Sequence, residues 1–213
     1  MSGAPDDARA RRFWDARASD YDRSMWLLGR PLPRAIELTC EHLRRSGRVL
    51  EVAAGTGLFT RPLAREVGTL VATDYAAGMV ARLQAAVADL ANVAVEQADV
   101  YALRFDAGSF DAVLAANVLH LLPDLPGALA ALHRVLVPGG RLVVPTYVHA
   151  ETLRSHVVSR LIGLTGFPGQ RRLSGQTLVA ALEQAGYAVE RIETIPGMIP
   201  IAWVAARTLS SRA

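Results

Sequence analysis

Residues 49–60, VLEVAAGTGLFT, run an apolar stretch straight into Gly55-Thr56-Gly57 and out again into a helical pattern. A buried strand that breaks on a glycine turn and reopens as a helix is the first turn of a doubly wound sheet, and few other folds accommodate it. The texture then repeats. Apolar runs VLEVAA (49–54), TLVATD (69–74), VAVEQAD (93–99), FDAVLAAN (110–117) and GRLVVPTY (140–147) alternate with helical stretches at 60–67, 76–90 and 125–136, the last stopped by Pro138-Gly139-Gly140. Strands alternating with helices imply a parallel sheet covered on both faces, and near-continuous Val/Leu/Ala strands fit burial on both sides. After an irregular stretch to residue 172, Ser174 caps a helix at 177–185, strand Tyr187–Ile195 follows, and an apolar segment covers 198–207.

The glycine turn offers backbone to a ligand at a helix N-terminus. A dinucleotide fingerprint would need a third glycine where Thr60 stands. Glu51 lies inside the strand, where a buried carboxylate is costly unless a cation or good donors meet it. An ammonium or sulfonium would meet it, whereas a pyrophosphate would be repelled. The second strand ends in Asp74, placed to accept both hydroxyls of a ribose or, alternatively, to cap the next helix. The third ends in Asp99-Val100, suited to reading an adenine edge or to making a turn. Three acids at three successive strand ends beside one glycine turn are more than chance placement would give.

Composition narrows the chemistry. All 23 basic residues are arginine, so no Schiff-base lysine, lysine base or P-loop lysine exists. The single cysteine, Cys40, excludes an intramolecular disulfide and a multi-cysteine metal site, and no metal is expected. A net charge of +3 without a basic stripe argues against nucleic acid, and no apolar run is long enough to span a membrane. The expectation is a soluble, cytoplasmic protein.

Taken in order, E51-V-A-A-G55-T-G57, Asp74, A-D99-V, FDAVLAANVLHLL (110–122) and LHRVLVPGGRLVV (132–144) resemble the successive motifs of class I S-adenosylmethionine-dependent methyltransferases of the small-molecule branch, such as the menaquinone and ubiquinone methyltransferases. The resemblance spans about 48–147, and it implies a Rossmann-like, seven-stranded α/β sheet, mostly parallel with its last strand antiparallel. The segment FWDARASDYD (13–22) is similar to the family's helical lid over the cofactor. One departure is Ala53, where the family's first glycine would sit. The implied organisation is a disordered tail at 1–8 followed by a single domain over 9–213. That domain comprises a lid (9–46), a cofactor core (48–147), an acceptor cap (148–172) and a C-terminal helix with strands (173–213).

By that resemblance, Ala53, Gly55, Thr56 and Gly57 cradle the methionine part of the cofactor, and Glu51 meets its ammonium. Asp74 holds the ribose, with Tyr75 and Met79 against the sugar or adenine, although Met79 also reads as a helix-core side chain. Asp99 and Val100 read the adenine, and Asn117 contacts the methionine moiety. Tyr21 lies over the sulfonium and is a catalytic candidate. His120, just beyond the fourth strand, reads equally as a general base and as a packing residue. Trp26, Tyr147 and His149 are acceptor-side candidates, with His149 also reading as an exposed loop residue, and the apolar stretches around Trp26 and 157–167 would either wall a pocket for an aromatic, a quinone or a lipid-like amine or pack on each other. The partner expected is such a small molecule, with a monomer or homodimer and peripheral membrane contact both left open. Alternatives are a nucleotide-dependent oxidoreductase on a similar sheet and a non-catalytic binder of the same cofactor.

Overall fold

The computed structural model describes residues 31–148 and 173–209. Chain order is α1 (Leu32–Leu43), β1 (Arg48–Val52), α2 (Thr60–Ala64), β2 (Thr69–Asp74), α3 (Ala77–Ala86), β3 (Val93–Gln97), β4 (Phe110–Ala115), α4 (Leu125–Val135), β5 (Leu136–Tyr147), α5 (Gly175–Gln184), β6 (Tyr187–Ile195) and β7 (Ile201–Thr208). Short 3-10 turns at Val100–Ala102 and Leu119–Leu121 follow β3 and β4.

The strands form one seven-stranded sheet in the order β3-β2-β1-β4-β5-β7-β6. Pairs from β3 through β5 are parallel, and β7 runs antiparallel to both β5 and β6. The chain winds outward from β1 to β3 and then returns to β4 on the other side. The connections leaving β1 and β4 therefore part in opposite directions, and a crevice opens at their carboxyl ends.

Burial follows from the strand period. Val49 faces one side with Leu38, Leu63 and Trp203, whereas Leu50 and Val52 face the other with Leu129, Leu178 and Leu182. Each such leucine is fully buried, which contributes about 1.5–3 kcal/mol per side chain. Polar pins tie α1 to the sheet: Trp203 Nε1 donates to Thr39 Oγ1 at 3.0 Å, and Arg141 Nη1 donates to the His42 carbonyl at 2.6 Å.

The sheet agrees with the sequence expectation, while several boundaries move. Helices α2 and α3 stop at Ala64 and Ala86, short of 67 and 90. Pro138-Gly139-Gly140 is not the stop of α4, which already ends at Val135 with Leu136 extended. Leu136 already pairs with Phe110 and Arg141 with Ala112, so the PGG segment is an irregularity within β5. Gly139 sits at φ +73°, and a Cβ on Gly140 would lie 2.8 Å from the Val137 carbonyl oxygen, which explains the glycines. Helix α5 starts at Gly175 behind a reciprocal cap, in which Ser174 Oγ accepts the Thr177 N–H and Thr177 Oγ1 accepts the Ser174 N–H. Among the described residues, no helix is long and apolar enough to cross a membrane.

Candidate active site

The first turn is built by backbone conformations that side chains resist. Ala53, Gly55 and Gly57 all have positive φ, at 53°, 59° and 92°. The two glycines serve different ends. A Cβ on Gly57 would meet Leu83 Cδ1 at 3.0 Å, so this glycine lets α3 approach. A Cβ on Gly55 would meet nothing within 4 Å, so its bareness leaves open space on the cleft side.

Asp74 ties this turn to the second strand. Its Oδ2 accepts the Gly55 N–H and its Oδ1 accepts the Ala76 N–H, both at 2.9 Å. The Ala54 N–H adds a bond to the Thr73 carbonyl. Asp74 therefore organises the start of α3 through Ala76 and also stands on the cleft wall. At the third strand end, Asp99 Oδ1 accepts the Tyr101 N–H at 3.0 Å, and the Tyr101 hydroxyl accepts the Asp124 N–H at 3.1 Å. That chain of bonds joins the edge of the sheet to the start of α4.

At the fourth strand end, Asn117 has φ +52°, and its N–H donates to the Pro145 carbonyl at 2.7 Å. Its Oδ1 is buried with no partner. The same holds for Oε2 of Glu51, whose side chain is 1% exposed within β1. Burial pushes the Glu51 carboxyl up to about 8; the Thr60 hydroxyl opposes that shift and the Asp74 carboxylate adds to it.

A cleft over the carboxyl edge of the sheet gathers Ala53, Gly55, Asp74, Tyr75, Met79, Asp99, Val100 and Asn117 from the residues singled out in the sequence. Met79 is 3% exposed and lines the cleft, so its two readings coexist in one side chain. Glu51, Thr56 and Gly57 stand outside the lining. His120 does too: it is 3% exposed, with Nδ1 3.0 Å from Thr146 Oγ1, the environment of a side chain that fastens the 119–121 turn to β5. Tyr147 is also buried, packed with Leu114 and Trp203, and burial pushes its hydroxyl up to about 12. Neither Tyr147 nor His120 forms part of the lining. Tyr21, Trp26 and His149, like most of the expected lid and cap, fall outside the described residues.

Sequence reasoning passed over Tyr101, Leu121 and Leu122, which also line the cleft. Their signal was faint. Tyr101 follows Asp99 by two residues, and the two leucines lie in 110–122, but only the 3-10 turns rotate them inward.

Residues 50–144 match the family model described as a methyltransferase domain. The chain is 38% identical over 133 residues to a demethylmenaquinone methyltransferase of Beutenbergia cavernae, covering 62% of this chain and 54% of that one. Over residues 50–144 the chain is therefore similar to methyltransferase domains. A Teredinibacter turnerae ubiquinone/menaquinone biosynthesis C-methyltransferase is 40% identical to it over 108 residues, or 48% of this chain and 43% of that one. The nocamycin O-methyltransferase of Saccharothrix syringae is 34% identical over 153 residues, covering 70% and 54%. The chain spans about half the length of these curated relatives. Among solved structures, a SAM-dependent methyltransferase from Aquifex aeolicus superposes with a TM-score of 0.72 at 22% identity, over 92% of this chain and 98% of that one. The cyclase SpnF superposes with a TM-score of 0.70 at 20% identity, covering 84% and 82%. The chain thus shares its fold with a protein named for different chemistry, and activity has to be argued from the site.

Proposed function

We propose that this protein transfers a methyl group from S-adenosylmethionine to a small hydrophobic acceptor. One observation carries the cofactor assignment. Glu51 Oε2, inside β1 just behind the cleft lining, and Asn117 Oδ1, two residues past the end of the adjacent β4, are buried acceptors without donors. Buried acceptors left unpaired cost roughly 1–3 kcal/mol each, so both favour a ligand that brings N–H donors. The ammonium of a methionine moiety has three such donors and a charge that suits Glu51.

When bound, the cofactor supplies a methyl carbon made electrophilic by an adjoining sulfonium. The chain's own residues bind, orient and shield. The open backbone at Gly55 leaves room beside Ala53 for the methionine end. Asp74, on the cleft wall beside the glycine turn, would meet the ribose hydroxyls. Asp99 keeps its second oxygen for the adenine amino group beside Val100, while Tyr75 and Met79 supply apolar wall. Such positioning, with water excluded, accounts for several kcal/mol of a displacement barrier. His120 acts by holding the 119–121 turn that continues into Leu121 and Leu122.

An acceptor of aromatic or quinone type is favoured by the two relatives named for menaquinone and ubiquinone pathways. We place Tyr21 over the sulfonium and Trp26 and His149 on the acceptor side, within a single domain acting in the cytoplasm on small molecules rather than nucleic acid.

Thermal-shift titration tests the cofactor assignment. S-adenosylmethionine and S-adenosylhomocysteine should each stabilise the protein, by about 2.7 kcal/mol at one hundred times Kd, and NAD should not. Stabilisation by NAD alone would overturn the reading. A screen of quinones, phenols, amines and thiols with labelled cofactor then identifies the acceptor; labelling of hydrophilic acceptors alone would reject a hydrophobic one.

A further inference from the structure

Glu51 poses a problem that the cofactor assignment does not resolve by itself: which charge the side chain carries before a ligand arrives. It is 1% exposed, and Oε2 has no hydrogen-bond partner. We propose that Glu51 is protonated in the ligand-free protein and releases that proton to solvent when the cofactor's ammonium binds. This rests on the cofactor reading above and adds a proton linkage to it.

Of the influences on Glu51, burial and the Asp74 carboxylate favour the neutral acid and only the Thr60 hydroxyl opposes them. Across β2 lies Asp74, whose two backbone hydrogen bonds suit a carboxylate, and a second negative charge beside it is repelled. From α1 comes Cys40. Its thiol is pushed up to about 11, chiefly by burial and also by Glu66 and Glu51, and so stays neutral and supplies no cation. From α2 comes the Thr60 hydroxyl, the one described side chain that favours ionisation. Arg44 acts on Cys40, but no described arginine is among the groups that act on Glu51. Desolvation therefore dominates, and near neutral pH the proton stays on.

An arriving ammonium reverses that balance. It has only donors, so the O–H of a neutral Glu51 would face N–H groups with nothing to accept. Loss of the proton turns this clash into a buried ion pair, and Asn117 Oδ1 is available for a further donor. The step balances: carboxylic acid plus ammonium ligand gives a carboxylate–ammonium pair, and the O–H proton goes to buffer. Below pH 8, cofactor affinity should then rise with pH.

Calorimetry of S-adenosylhomocysteine binding tests this without turnover. At pH 7, titrations in phosphate and in Tris should give enthalpies that differ by the buffers' ionisation enthalpies times about 0.9 proton released, as expected for a group titrating near 8. Release should fall toward zero by about pH 9.5, and Kd should tighten about tenfold per pH unit between about pH 6 and 7.5. 5′-Methylthioadenosine, which has the nucleoside but no ammonium, should bind with no proton release, and so should S-adenosylhomocysteine to the Glu51→Gln variant. Equal enthalpies in the two buffers for the wild-type protein would overturn the linkage while leaving the cofactor site standing. Release on binding methylthioadenosine, or release that persists in Glu51→Gln, would also overturn it. If that variant does not fold, the comparison of the two ligands on wild-type protein decides. Absence of any S-adenosylhomocysteine binding would remove both the linkage and the cofactor reading.

Discussion

Asp74 Oδ2 accepts the Gly55 N–H at 2.9 Å, so the carboxylate at the end of β2 holds the turn that follows β1 in place. With its other oxygen on the Ala76 N–H, a single side chain aligns the glycine turn with the start of α3. Asp74 is not the N-cap that the sequence offered as an alternative to a ribose ligand: the N-cap is Ala76, whose own N–H Asp74 holds from two residues before.

Asp74→Ala should therefore do two things. It should remove two buried backbone partners, lowering stability by about 1–3 kcal/mol in urea denaturation. It should also abolish the thermal shift given by S-adenosylhomocysteine. A variant that keeps the full ligand shift would end the assignment of Asp74 to the ribose.

Ala53 occupies φ +53°, where a side chain is strained. Ala53→Gly should relieve about 1 kcal/mol of that strain, partly offset by the greater freedom of glycine in the unfolded chain. The expected outcome is an unchanged or slightly raised Tm with cofactor affinity retained. A fall of several degrees would mean that the Ala53 methyl contributes packing the backbone angle does not reveal.

Asn117 separates backbone from side chain. Asn117→Gly keeps the φ +52° conformation and the N–H bond to Pro145 but deletes the unpaired Oδ1. Stability should change by less than about 1 kcal/mol, and S-adenosylhomocysteine affinity should fall about tenfold by calorimetry, the equivalent of one hydrogen bond. Unchanged affinity would free Asn117 from the methionine contact.

Glu51 should make the ligand-free protein less stable as pH rises. Its folded pKa, about 8, lies above the ordinary 4.5 of the unfolded chain. The folded state therefore holds a proton that the unfolded state has lost; this stabilisation is full below about 4.5 and is lost as pH climbs through 8. The difference between wild type and Glu51→Gln in urea midpoint should shift by the equivalent of a few kcal/mol between about pH 5 and 8.5, the wild type weakening. A constant difference across that window would place the carboxyl's pKa in the usual range.

His120→Phe should cost about 1–3 kcal/mol by leaving Thr146 Oγ1 without its ring-nitrogen partner at 3.0 Å. If His120 only fastens the 119–121 turn, kcat with a confirmed acceptor should keep the wild-type pH profile. Loss of one limb of that profile would instead make His120 a general base.

The order of elements was legible in the sequence because the central strands of a covered sheet are apolar on both faces, the edge strands β3 and β6 keep an alternating apolar pattern, and each parallel crossover is helical. Thus β1 through β5, the capped α5 and the strand at Tyr187–Ile195 all stood out. Helix ends were less legible, since Val67 and Val87 remain buried in the core beyond the ends of α2 and α3, so the apolar spacing continues where the helix has stopped. Asp74 and Asp99 could be found because a strand end at a doubly wound edge is a position as well as a residue type, and Asn117 through the resemblance of 110–122 to a family motif. Tyr101, Leu121 and Leu122 could not, since they reach the cleft only through the curl of two 3-10 turns.

By itself, the sequence determined the winding of the sheet, the glycine turn and the acids along one edge, all of which follow from local periodicity and spacing. Tertiary structure decided what each side chain can do there. It buried His120 and Tyr147 away from the cleft lining and used Asp74 to hold the turn as well as to face the cleft. It also left Glu51 Oε2 and Asn117 Oδ1 without partners. Burial and hydrogen-bond pairing depend on residues distant in the chain, and no local pattern records which donors will be within reach.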